Sequence, residues 1–152
     1  MRRFTAGILG FLGAIVAAAP ATVMADTFPA INGRALVGSE EICFQGADNS
    51  SRVTNFGCSS SPAPRWFVPM VLRWTGSTTF RASSTGAGVS PTCRASVRSA
   101  GDSSLFFGAL VTVSGTDVSL GTHSVASATS TALVQCNLEQ AGRSLTSVRW
   151  HM

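Results

Sequence analysis

The stretch RWFVPMVLRW, residues 65 to 74, decides how the chain is read. In an extended strand successive side chains alternate between two faces. Trp66, Val68, Met70, Leu72 and Trp74 then share one face, and Arg65, Phe67, Pro69, Val71 and Arg73 the other. A face that is apolar at every position reads as core. Pro69 lacks a ladder N–H, so the strand is expected at a sheet edge or bent there by a bulge. The tryptophans become packing residues and not a ligand-stacking platform. A contact patch on this strand would consist of Arg65, Phe67, Val71 and Arg73.

Similar β-rich runs continue on both sides. Strands are expected at 33–38, 40–46, 66–74, 78–83, 93–99, 104–115, 123–139 and 144–152. The segments GADNSS, CSSSPAP, STGAGVSP, SAGDS, SGTD and EQAGRS separate them, each rich in turn-forming residues. Phe107, Ala109, Val111 and Val113 share a face in one run, as do Thr146, Val148, Trp150 and Met152 in the last. No sustained helical period follows the first 25 residues, and no repeat or linker divides them. The pattern is that of one all-β domain, an antiparallel β-sandwich of about seven or eight strands. Residues 26–152 hold 34 serines and threonines, but their recurrent apolar runs argue against disorder.

The amino terminus reads as a secretory leader. Arg2 and Arg3 precede an apolar run from Ala6 to Ala19, and Val23 and Ala25 suit cleavage after Ala25. The run is shorter than the roughly 20 residues a membrane-spanning helix needs, contains Gly7, Gly10 and Gly13, and is followed by Pro20. The expected product, 26–152, is a secreted or periplasmic domain without a membrane span. Of 11 basic residues, all arginine, two belong to the leader, leaving 9 against 7 acidic ones. That net +2 gives no argument for nucleic acid as partner.

Four cysteines, an even number in an exported chain, point to two disulfides. Strand parity directs Cys93, with Ala95 and Val97, and Cys136, with Val134 and Leu138, towards the interior. The same reasoning applied to EEICFQ turns Cys43 to the solvent side, opposite Ile42 and Phe44, within reach of Cys58. The expected pairs are Cys43 with Cys58 and Cys93 with Cys136. On a chain-entropy argument they contribute about 3 and 4 kcal/mol.

The early cysteine, the run NFGCSS (55–60), the strand with an internal proline, TCRASV (92–97) and a late cysteine before a terminal SVRW strand form a layout. It resembles small exported proteins of myxobacteria and related bacteria. The likeness spans most of the chain after the leader and departs at Val68-Pro69, where it leads one to expect Cys-Pro. It implies an exported β-sandwich and no particular activity.

Chemistry-bearing motifs are few. There is no G-x-S-x-G elbow, no zinc-like cysteine spacing, no phosphate-binding glycine loop and no other cofactor motif. A small hydrolase would have to use His123 with Asp117 or Asp102, since His151 stands one residue from the end. Arg94 and Arg98 share a strand face about 13 Å apart and could meet an acidic polysaccharide or lipid head group. The expectation is a non-catalytic exported sandwich acting as a surface, matrix or binding component, a protein or glycan at the cell surface being the kind of partner it could meet. The alternatives are an inhibitor or toxin-like binder built on a braced loop such as CSSSPAP, or the small hydrolase.

Overall fold

Alternating apolar residues can be hidden only if two sheets face one another, and the chain solves the problem that way. A computed structural model describes residues 25–46, 51–59, 63–98, 105–140 and 142–152. The expected leader lies outside them except for Ala25. Twelve strands are present among them: β1 (Ala25–Pro29), β2 (Arg34–Ala35), β3 (Phe44–Gly46), β4 (Val53–Asn55), β5 (Arg65–Val71), β6 (Gly76–Thr85), β7 (Thr92–Arg98), β8 (Phe106–Phe107), β9 (Val111–Thr112), β10 (Val118–Val125), β11 (Thr131–Asn137) and β12 (Ser144–His151). One six-stranded sheet runs β10-β6-β12-β4-β3, with β1 also on β12. The other runs β2-β5-β11-β7-β8, with β9 also on β7. All pairings are antiparallel, and no helix among the described residues is long and apolar enough to cross a membrane.

The expected core face of residues 66 to 74 is observed: Trp66, Val68, Met70, Leu72 and Trp74 are all buried. Rungs on the inner face of the second sheet join Ala35, Trp66, Cys136 and Cys93, then Val68, Val134 and Ala95, then Met70, Ala132 and Val97. They pack against Phe80, Ala82, Val148 and Trp150 of the first sheet. Trp74 stacks on Trp150 with ring centroids 3.5 Å apart, tying the chain leaving β5 to β12 across the layers.

Pro69 causes no bulge, because β5 pairs with β11 in unbroken register from Arg65 to Val71. Leu72 and Leu138 donate to the carbonyls of Ser130 and Pro64, so even-numbered residues of this segment turn their backbone towards β11. Odd-numbered ones turn the other way, where Leu36 N–H donates to the Arg65 carbonyl. β2 covers that side only at Trp66 and Phe67. The missing N–H of Pro69 therefore faces a side that no described strand occupies, an edge position of the kind proline tolerates.

Both disulfides form as expected, with Cα separations of 5.2 Å for Cys43–Cys58 and 4.1 Å for Cys93–Cys136. The parity argument for Cys43 is corrected. Gly38–Cys43 is a 3₁₀ helix and not a strand, so Cys43 is buried and Ile42 is 81% exposed. The run 33–38 pairs only at Arg34 and Ala35. The run 104–115 is two short strands with Phe107 exposed and Val113 buried. The run 123–139 is broken after Val125, its halves lying in opposite sheets. In the last strand a bulge between Leu145 and Ser147 brings Leu145 into the core beside Val148 and Trp150, while Met152 stays exposed.

A buried asparagine anchors the Cys43–Cys58 loop. Asn55 donates through Nδ2 to the carbonyls of Cys58 (2.8 Å) and Leu138 (2.9 Å), and its Oδ1 accepts from the N–H groups of Gly57 and Cys58. All four hydrogen-bonding positions of the amide are used. Asn55→Ala strands these buried backbone groups, and a loss of about 2–4 kcal/mol in denaturant unfolding is expected. A loss below about 1 kcal/mol would show that the loop relaxes to water instead.

Candidate functional site: a cationic sheet face

Odd-numbered β5 residues point out of the sandwich, and the register brings other strands' arginines beside them. One outer rung runs Arg34 on β2, Phe67 on β5, Gln135 on β11 and Arg94 on β7. At ordinary strand spacing its two arginines stand about 14 Å apart. The neighbouring rungs carry Arg65 with Asn137 and Thr92 on one side, and Val71 with Thr131 and Arg98 further along. The two groups proposed from sequence, Arg65 with Phe67, Val71 and Arg73, and Arg94 with Arg98, thus share one face of the second sheet or its rim.

The side chains there are held in different ways. Arg65 pairs with Glu40 at 3.4 Å, and Glu40 also accepts from the Arg65 N–H. Arg94 donates through Nε (3.1 Å) and Nη2 (2.8 Å) to Gln135 Oε1, and its guanidinium lies 4.2 Å from the centre of the Phe107 ring. A neutral amide and an aromatic face orient that cation without neutralising it. Arg34 and Arg73 are exposed and form no ion pair among the described residues. Phe67 departs from its expected place in an exposed patch. It is only 8% exposed, flooring a hollow of about 430 Å³ walled by Arg34, Leu36, Pro69 and Leu133. Val71, at 63%, is open to solvent.

Sequence reasoning missed Arg34, Gln135 and Phe107. Local alternation shows which face a residue takes within its strand, but not which distant strand lies beside it. Glu40 and Glu41 have structural contacts: Glu40 holds Arg65, and Glu41 accepts the N–H of Ala35 at 3.1 Å.

The hydrolase residues are not assembled among the described residues. Asp117 faces Arg81 (3.0 Å) and Arg149 (2.5 Å), while His123 lies further along β10 and opposite Thr78. The His123 ring meets Phe80 edge-on at 5.7 Å and closes over Gly108. No hydrogen bond joins it to a serine hydroxyl or carboxylate among the described residues. Asp102 lies outside those residues. No cluster of metal-ligating side chains occurs among the described residues.

No protein-family model matches the chain, and a search of curated proteins finds no match to it.

Burial lowers the His123 pKa from its ordinary value near 6.5. The unfolded chain therefore binds more protons than the folded one as pH falls below about 6.5, and stability declines with falling pH through that window. Thermal melts between about pH 7 and 5.5 should show this decline, and His123→Gln should flatten it. Equal slopes for the two proteins would place the titration elsewhere.

Proposed function

We propose that the chain is an exported, non-catalytic binding module whose outer second-sheet face engages an anionic polymer at the cell surface, an acidic glycan in the first instance. The observation that carries this reading is the set of arginines on that face, with Arg94 held on Phe107 by a neutral partner. Such pre-oriented guanidinium groups suit carboxylates or sulfates, whose planar or multidentate oxygens match their donors. The leader-like first 25 residues and the two disulfides support export to an oxidising compartment. The resemblance to small exported myxobacterial proteins agrees with it.

The inhibitor-like alternative keeps one observation in its favour. Ile42 and Phe56 are 81% and 61% exposed on the two sides of the Cys43–Cys58 bridge, where Phe56 N–H donates to the Cys43 carbonyl. Rigid apolar residues of this kind can anchor a protein interface.

Oxidised protein applied to an immobilised polyuronate at low ionic strength should be retained and should elute with salt. An Arg34→Gln, Arg94→Gln variant should elute markedly earlier at unchanged melting temperature. Absence of retention, or an unchanged elution position in the variant, would remove this function. Retention lost instead in Ile42→Ser, Phe56→Ser would favour the braced loop.

A further inference from the structure

The sandwich has two lateral seams, and they are closed differently. At the β10 side His123 fills the gap against Phe80 and Gly108, where even an added Cβ would come within 3.0 Å of the imidazole Nε2. At the other side, between β1 and β5, a hollow of about 540 Å³ remains. That volume falls in the range of small-molecule sites.

The lips of this open seam are chemically unusual for strand edges. On β1 the Thr27 N–H is taken by Asp26 Oδ1 at 2.8 Å. Pro29, of the same parity, has no N–H, and neither has Pro69 on the facing edge of β5. Both lips are rich in carbonyl acceptors and poor in donors. A docking strand needs donors from its host as well as acceptors, so these edges discourage strand addition. A ligand that brings its own hydroxyl donors has no such difficulty.

The wall supplies complementary groups. Trp74 and Trp150 are both deeply buried, but their indoles differ. Trp74 Nε1 donates to Thr78 Oγ1 at 2.7 Å, whereas Trp150 Nε1, in a residue only 4% exposed, has no acceptor among the described residues. A buried unpaired N–H is costly, and since almost none of its surface is open it would take a ligand oxygen only after the indole shifts outward. At the mouth stand Asp26 and Arg73, exposed and in no ion pair among the described residues, beside the apolar surfaces of Phe28 and Val71. A carboxylate acceptor, a guanidinium donor and an apolar wall are what the polar rim and C–H face of a sugar ring require.

We propose that the seam between β1 and β5 is a site for a single sugar residue, adjoining the cationic sheet face at Val71 and Arg73 but including neither Arg34 nor Arg94. The test uses oxidised protein and the fluorescence of the stacked tryptophan pair. The probes are methyl glycosides of a hexose, an N-acetylhexosamine and a hexuronic acid, with glycerol and a pentaglutamate peptide as comparisons. A saturable change with at least one glycoside and not with glycerol is expected. Asp26→Asn, and Val71→Trp, which fills the hollow from an exposed position, should each weaken it about tenfold or more at unchanged melting temperature. Arg94→Gln should leave it unchanged, so failure of the polymer-binding reading and failure of this one are separable. Absence of a saturable glycoside response, an affinity unchanged from the parent protein in either seam variant, or tighter binding of the peptide would overturn the proposal.

Discussion

The buried hydrogen bond from Trp66 Nε1 to the Ala30 carbonyl, at 2.7 Å, is the contact on which the binding face depends. Satisfying the indole fixes the turn Ala30–Asn32 over the second sheet, and that turn delivers Gly33 so close to β5 that a Cβ would meet the Phe67 carbonyl and the Trp66 nitrogen. Only after this approach can Arg34 and Ala35 pair with Phe67 and Trp66. Arg34 thus owes its place on the outer face to a tryptophan on the inner one. The same tryptophan shares a rung with the Cys93–Cys136 bridge, so covalent bracing, core packing and charge placement meet on neighbouring positions.

Phe67 illustrates how an outward-pointing residue can still be buried. Its face is solvent-directed by parity, but Arg34, Leu36 and Leu133 close around it and leave only its floor role in the hollow. The long arginine stem covers apolar surface while its head reaches water. On the opposite sheet, charge is used differently. Arg81 and Arg149 converge on Asp117, which sits at a positive φ of 62° and whose N–H donates to Ser83 Oγ at 2.9 Å. There two arginines share one carboxylate and are tied to it, whereas Arg34 and Arg94 have no carboxylate partner among the described residues, so the two outer faces differ in what they offer a partner.

Much of the sandwich was legible in the sequence wherever one strand stayed straight. Residues 65 to 74, 93 to 98 and 131 to 137 keep a single parity, and their inner faces are buried as the alternation implies. Cys93 and Cys136 point inward for that reason. Parity failed where the chain left the extended state, at the Gly38–Cys43 helix, the break after Val125 and the bulge after Leu145. The correct Cys43–Cys58 pair therefore came with an incorrect facing for Cys43. The site was less legible, because Arg34, Gln135, Phe107 and the Asp26–Trp150 neighbourhood come together only through pairing of strands far apart in sequence.

The order of the strands has a kinetic meaning. Among the long strands β5, β6, β7, β10, β11 and β12 none pairs with the next long strand in sequence, because the chain turns across to the opposite sheet between them; among the described residues only the short pairs β3–β4 and β7–β8 join sequence neighbours. Loop closure must come before nearly every rewarding contact, which places the chain among slow-folding topologies. An emerging polypeptide of this design has almost no local hairpin to seize on. It stays threadable until most of it is present, and the Cys93–Cys136 bond can become native only after β11 has been made and brought beside β7.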